Sequence, residues 1–301
     1  MSSIKQKLGQ YQFSTIVSVA GDDIFDIEHH EIVNIFNSSS NPFLQHPKVI
    51  IADPFLFVHK NELYLFYEEQ IDLRGKGLIK MTKTKDLVRW SNPVIVLEES
   101  FHLSYPNVFE VNGDIYMMPE TGHDLSIKLY KANNDLTKWT YHKTLLEGKN
   151  FVDSSIVYYD NLYFLFTTEY IKGEYILYLF FSESLDNKWI EHPQSPISKS
   201  PDEARCAGSV FSHNNKLYRP CQLTSEKYGG GVDIYEIITI NTKEYKEKNY
   251  RRIIPNYRKE YSEGGHHFNK CNWNDKHIIA TDIIKFQYNF FEIIRRIKAK
   301  I

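Results

Sequence analysis

Five times along this chain the same short pattern returns, and that recurrence limits the fold more than any composition figure. The segments are "DPFLFVHKNELYLFYEE" (53–69), "YPNVFEVNGDIYMMPE" (105–120), "DSSIVYYDNLYFLFTTE" (153–169), "AGSVFSHNNKLYRPCQ" (207–222) and, in looser form, "GHHFNKCNWNDKHIIATD" (265–282). Each reads as an alternating strand, a polar turn and a second strand. Tyr64, Tyr116, Tyr163, Tyr218 and Ile278 are the equivalent positions. The first four copies are followed by an apolar strand, a polar turn and an aromatic residue. From reference Tyr to aromatic the spacings are 26, 23, 26 and 27 residues: Tyr64 to Trp90, Tyr116 to Trp139, Tyr163 to Trp189 and Tyr218 to Tyr245. A unit of about 50 residues with four short strands is a β-propeller blade. A β-sandwich would not repeat a hairpin plus a Trp-terminated strand. The expected fold is therefore all-β, a five-bladed β-propeller over 46–284. Residues 1–45 form an N-terminal extension in which "FSTIVSV" (13–19) could supply a ring-closing outer strand.

Composition agrees with this and narrows the partners. Aromatic residues make up 15% of the 301, with 21 Tyr and 19 Phe, a strand-forming bias. The net charge of −2 gives no electrostatic footprint for nucleic acid. Cys206, Cys221 and Cys271 are odd in number, widely spaced and without a CxxC pair, which suits reduced thiols. The N-terminus has no continuous apolar segment of signal-peptide type, and no run reaches membrane-spanning length. A cytoplasmic protein is expected.

A propeller gathers the starts of its inner strands around one mouth of the central channel. That places Asp53, Ser104, Tyr105, Asp153, Arg205 and Glu263 through His267 together, with Glu68, Glu120, Thr167, Gln222 and Asp282 returning on the second strands. Carboxylates, an Arg and a His around a concavity suit sugar chemistry, in which one carboxylate acts as base or nucleophile and another acid protonates the leaving oxygen. Asp53, Glu120 and Asp153 are the catalytic candidates. Tyr105, Arg205, Arg219, Gln222, Tyr228, Glu263, His266 and His267 are the substrate-binding candidates, with Arg205 and Arg219 as forks for a donor phosphate. The plainer readings are an Asp that caps a turn at a strand start and a His pair buried in a core. No spacing supports a metal site, and no cofactor is expected. A nucleotide fingerprint and a DxD motif are absent, and the glycines of "YGGGVDIYEI" (228–237) lead into a strand, as a turn does.

The "ADPFLFV" start and the five hairpins resemble the five-bladed furanosidase families of glycoside hydrolases: the arabinanases, xylosidases, invertases and levansucrases. That resemblance implies that Asp53 is the base or nucleophile. A nearer likeness is to a propeller family of bacterial surface-polysaccharide proteins, which is also the N-terminal domain of the plant glucosamine inositolphosphorylceramide transferases. It is carried by "ADPFLFVHKNELYLFYEE", "FHLSYPNVFEVNGDIYMMPE", "RCAGSVF", "KLYRPCQ", "YGGGVDIYEI" and "GGHHF", from residue 50 to about 268. The sequence departs from the furanosidase pattern where a second Asp is expected, with Ser104 and Tyr105, and where a general-acid Glu is expected, with Asp153; Glu120 could compensate. The implied function is a glycosyltransferase in capsule, lipopolysaccharide or other surface-glycan assembly, using an activated sugar donor and a glycan acceptor. An intracellular furanoside hydrolase and a non-catalytic sugar-binding propeller stay open.

The tail "KFQYNFFEIIRRIKAKI" repeats Phe286, Phe290, Ile293 or Ile294, Ile297 and Ile301 at three- and four-residue steps, with Arg295, Arg296, Lys298 and Lys300 between them. It predicts a basic amphipathic helix over 285–301. Such a helix would either pack on the propeller or rest on the inner face of a membrane, as a lipid-linked acceptor would require.

Overall fold

A computed structural model describes residues 9–38, 41, 43, 48–71, 75–255, 261–289 and 291. Among them, twenty strands form five four-stranded antiparallel sheets, the blades of a propeller. The N-terminal strands are β1 (Gly9–Val19) and β2 (Glu31–Phe36). The first blade runs outward through β3 (Lys48–His59), β4 (Glu62–Ile71), β5 (Leu78–Thr84) and β6 (Val94–Leu97). The second holds β7 (Ser104–Val111), β8 (Asp114–Glu120), β9 (Ser126–Ala132) and β10 (Trp139–Glu147). The third holds β11 (Phe151–Tyr159), β12 (Leu162–Ile171), β13 (Glu174–Ser182) and β14 (Ile190–Glu191), and the fourth holds β15 (Phe211–His213), β16 (Lys216–Leu223), β17 (Gly231–Ile240) and β18 (Tyr245–Ile253). The fifth starts with β19 (Phe268–Trp273) and β20 (Lys276–Tyr288) and is completed by β1 and then β2. This explains why the fifth repeat lacks a second module: the start of the chain supplies it.

Local chemistry builds the hairpins. Each inner hairpin turns on two residues with positive φ: Lys60–Asn61, Asn112–Gly113, Asp160–Asn161, Asn214–Asn215 and Asn274–Asp275. Two such residues are what a tight type I′ turn demands, and Asn, Asp and Gly tolerate them best. Four of the reference tyrosines face an aromatic across the hairpin, in the pairs Phe57–Tyr64, Phe109–Tyr116, Tyr158–Tyr163 and Phe211–Tyr218. In the first, second and fourth blades the closing aromatic packs onto the blade before it. Trp139 packs edge-on against Phe66 of the first blade, Tyr245 against Phe166 of the third, and Trp90 against Phe36 of the fifth. The indoles of Trp90 and Trp139 donate to the carbonyls of Leu87 and Leu136, both 3.1 Å away, where the leucines sit at φ 63° and 60°.

The tail departs from its expected helix. Residues 285–288 end β20, paired with Gly9–Gln12 of β1. Phe286 and Tyr288 alternate with Lys285 and Gln287, so the segment also carries a strand pattern, and an available partner strand decides between the two periods. Residues 290 and 292–301 of that expected helix lie outside the described residues.

Candidate active site

The inner strands of the first three blades each carry a bulge near the start, where the register with the second strand shifts: Ala52 to Phe55, Ser104 to Asn107, and Val152 to Ser155. At each bulge a non-glycine residue takes left-handed backbone, Asp53 at φ 50°, Tyr105 at 48° and Asp153 at 48°. Bulges re-aim a side chain, and strained non-glycine backbone of this kind concentrates at functional sites. The fourth blade has Gly208 in the matching region, at φ 139°. A side chain there is excluded, because an added Cβ would lie 2.0 Å from the Phe268 carbonyl oxygen.

Asp53 and Asp153 thereby join Glu68, Glu120 and Asp282, five carboxyls each no more than 9% exposed. Asp53 accepts the Tyr105 backbone N–H at 3.2 Å, and its Oδ1 lies 3.5 Å from His267 Nδ1 and 3.8 Å from His266 Nδ1. Burial alone would raise its pKa, but the contact with His267 and the charges of His266 and Arg205 bring it down to about 2. Asp153 accepts from the Arg205 Nε and, at 2.8 Å, from the Gln222 amide. Burial lifts its pKa, Arg205 opposes this, and the Asp53 and Glu120 charges add to the rise, leaving it at about 6. Glu120 accepts from the Ser104 hydroxyl at 2.8 Å and the Gly122 N–H at 3.2 Å, and burial raises its pKa as well. Asp282 takes the backbone N–H groups of His266 and His267 at 2.6 and 3.1 Å.

Asp53, His266 and Asp282 offer three ligand atoms within 4.8 Å of one another. His266 Nδ1 lies 2.5 Å from Asp282 Oδ2, whereas two ligands at ~2.0–2.2 Å from one ion sit roughly 3 Å apart. The pair therefore reads as a buried imidazole–carboxylate ion-pair contact. Burial would lower the His266 pKa, and the Asp282 and Asp53 charges raise it instead.

The remaining candidates divide. Arg205 reaches the mouth with its guanidinium between the rings of Tyr175 and Tyr228, 5.2 and 5.1 Å from their centroids. Tyr228 also sets its ring against His266, at 5.0 Å, and the residue is partly exposed. Gln222, His266 and His267 line the site; Glu263 is at its edge, 3.7 Å from Lys227. Tyr105 is a channel plug: its hydroxyl crosses to the fourth blade and bonds both the carbonyl and the N–H of Gly208, at 2.8 and 2.6 Å. Its ring packs on Phe55 and His267 and is closed off from solvent, so sugar has no access to it.

Arg219 is a correction. Its guanidinium is fully buried between blades and held by Glu247 at 2.9 and 2.6 Å, with the rings of Phe166 and Tyr235 on its flanks. A phosphate has no approach to it. The hairpin repeat placed the end of β16 correctly at Gln222, but three residues earlier the alternation points Arg219 into the blade interface. The residue that sequence reading missed is His102, in the loop before β7, where no strand register exists to place it.

The fold and its mouth define a class, five-bladed propellers with a buried carboxyl cluster at the channel. The chain belongs to the family described as Glucosamine inositolphosphorylceramide transferase 1, N-terminal, which it matches over residues 32–284. It is 37% identical over 209 residues to glucosamine inositolphosphorylceramide transferase 1 of Oryza sativa subsp. japonica, an alignment covering 67% of this chain and 28% of the rice protein. The chain thus spans less than a third of that relative. Among solved structures, the β-1,2-mannobiose phosphorylase of Listeria innocua is similar with a TM-score of 0.59 at 9% identity, over 94% of this chain and 99% of that one. The Cellvibrio cellulosa α-L-arabinanase complexed with arabinohexaose is similar with a TM-score of 0.52 at 17% identity, over 65% and 76%. Those likenesses show the fold. The rice match is to a plant protein and lends nothing to the bacterial part of the expectation.

Proposed function

We propose that the acidic mouth binds a neutral sugar and carries out a glycosyl-transfer step in the assembly of a glycolipid or other surface glycan. The observation that carries this reading is Asp53. It is a buried carboxylate kept ionised beside a cluster of carboxyls whose protons are held more tightly, the separation that base and acid roles need. Asp53 is the base that takes a proton from an acceptor hydroxyl. Arg205 and Gln222 hold Asp153, and the partly exposed Tyr228 is the aromatic that would meet the sugar. A free phosphate fork is not part of this reading, because Arg219 is occupied and Arg205 already neutralises Asp153. A diphosphate would meet five carboxyls, so the substrate expected in the mouth is the uncharged glycosyl part of a glycan or glycolipid. The family supports the transferase reading through the printed name of its relatives.

A second reading, a sugar-binding propeller serving a transfer site elsewhere in a longer protein, is favoured by the 28% of the rice protein that the alignment covers. Saturation-transfer NMR with neutral oligosaccharides, phosphorylated sugars and nucleotide sugars, run on wild type and Asp53→Asn, separates these readings. Glycosyl transfer predicts that neutral sugars bind both proteins and that turnover is lost about 100-fold or more in the variant. Undiminished turnover in Asp53→Asn would remove the base from the mechanism, and binding without turnover in either protein would leave the binding module.

A further inference from the structure

The five carboxyls of the mouth are not equivalent in their hydrogen bonding, and the exception is Glu68. Asp53, Glu120, Asp153 and Asp282 each accept hydrogen bonds from the surrounding protein, chiefly backbone N–H groups, a hydroxyl, an amide and a guanidinium. Accepted hydrogen bonds favour the ionised form and offset part of what burial does to these four carboxyls. Glu68, on β4 and 5% exposed, has no such donor among the described residues, and its Oε1 is buried without a hydrogen-bond partner. His102 faces it, with Nε2 3.5 Å from Oε1. His102 is itself fixed: its Nδ1 accepts the Gly77 N–H at 2.8 Å, which places the ring proton on Nε2 and leaves the imidazole neutral. Burial lowers the His102 pKa further, so it brings no charge to offset Glu68. Gly77 completes the holder, since a Cβ there would stand 2.5 Å from Glu68 Oε1.

The groups that face Glu68 from the other elements are the carboxyls of Asp53 on β3, Asp282 on β20, Glu120 on β8 and Asp153 on β11, with the Tyr228 phenol and the neutral His102 imidazole beside them. Burial comes first, and those charges then push its pKa well above the ordinary carboxyl value. A desolvated carboxyl without a hydrogen-bond donor or a contacting cation, facing other carboxyls, holds its proton more tightly than one that accepts from donors.

Resting on the glycosyl-transfer reading, we propose that Glu68 is the general acid of the mouth, with His102 as its positioning residue. As the bond from the anomeric carbon to the leaving oxygen breaks, its electron pair stays on that oxygen, which takes the Glu68 proton. The acceptor oxygen forms the new bond to the anomeric carbon, and its proton passes to Asp53. Exchange with water resets both carboxyls. The step requires a leaving group that needs a proton, a sugar or lipid oxygen rather than a phosphate.

The test uses 4-nitrophenyl and methyl glycosides of the sugars found to bind, with wild type, Glu68→Gln and Glu68→Asp. The expected result is a loss of about 100-fold or more on the methyl glycoside in Glu68→Gln, with less than about 10-fold on the nitrophenyl glycoside, whose leaving group needs no acid. The alkaline fall of the wild-type pH profile should vanish in Glu68→Gln and remain in Glu68→Asp. Infrared difference spectra at neutral pH should show a protonated carboxylic-acid carbonyl band in wild type that Glu68→Gln removes. Equal losses on both glycosides, or no such band, would overturn the assignment of Glu68. A band that is present without turnover of any glycoside by wild type would overturn the glycosyl-transfer reading instead.

Discussion

Arg205 and Arg219 are the same residue type fourteen positions apart, and burial gives them opposite jobs. Arg219 satisfies Glu247 in a closed interior, where removing one partner leaves a buried charge alone. Arg219→Ala should therefore lower stability by about 3–5 kcal/mol in chemical denaturation, while Arg205→Ala, at the mouth, should chiefly reduce sugar binding. Equal loss of stability in the two variants would refute this division. Asp153 supplies a pH test. Its folded pKa of about 6 lies above its ordinary value of 3.8, so its contribution to stability is full below pH 3.8 and is lost as pH rises through 6. Asp153→Asn lacks that loss, so between pH 4 and pH 7 it should gain about 1–3 kcal/mol relative to wild type. A difference that stays flat across that range would show that Asp153 titrates normally.

At the scale of elements, the bulged inner strand decides where the chemistry sits. Hairpins, turns and closing aromatics were legible because their periods are local: alternation for the strands, paired polar residues for the turns, a fixed spacing for Trp and Tyr. The bulges at Asp53, Tyr105 and Asp153 were not, because left-handed backbone in a non-glycine residue is imposed by what surrounds it. Tyr105 shows the consequence. In sequence it is equivalent to the two aspartates, yet its length carries the hydroxyl across the channel to Gly208, and it becomes a plug. Gly208→Ala should then be severely destabilising, since the added methyl meets the Phe268 carbonyl at 2.0 Å on backbone already at φ 139°. We expect a loss of about 3 kcal/mol or more in unfolding free energy, read from chemical denaturation; an unshifted midpoint would mean that the fourth blade yields there.

At the scale of the whole molecule, the ring is closed by pairing its two ends. β1 pairs with β20 along eleven positions, Gly9 with Tyr288 through Val19 with Ile278, and with β2 on its other edge. Deleting residues 1–19 should strip the fifth blade to its inner hairpin and abolish cooperative thermal unfolding, read by circular dichroism. A sharp transition in that variant would show that four blades and a hairpin suffice. Closure also fixes the mouth, because Asp282 and His266 stand on the blade that β1 completes, facing Asp53 on the first.

The sequence by itself determined the repeat, the count of five blades, the two-residue turns and the gathering of Asp53, Glu120, Asp153, Arg205, Gln222 and the His266–His267 pair at one mouth, because all of these follow from short-range periodicity multiplied by symmetry. Tertiary structure alone decided which groups stay charged and which are sealed away. Arg219 turned into a blade interface, Tyr105 into the channel, β20 onward as strand through Tyr288, and Glu68 into a pocket made by Gly77 and His102. Each of those outcomes depends on contacts between residues far apart in the chain, and protonation depends on the sum of their charges and on the water they exclude.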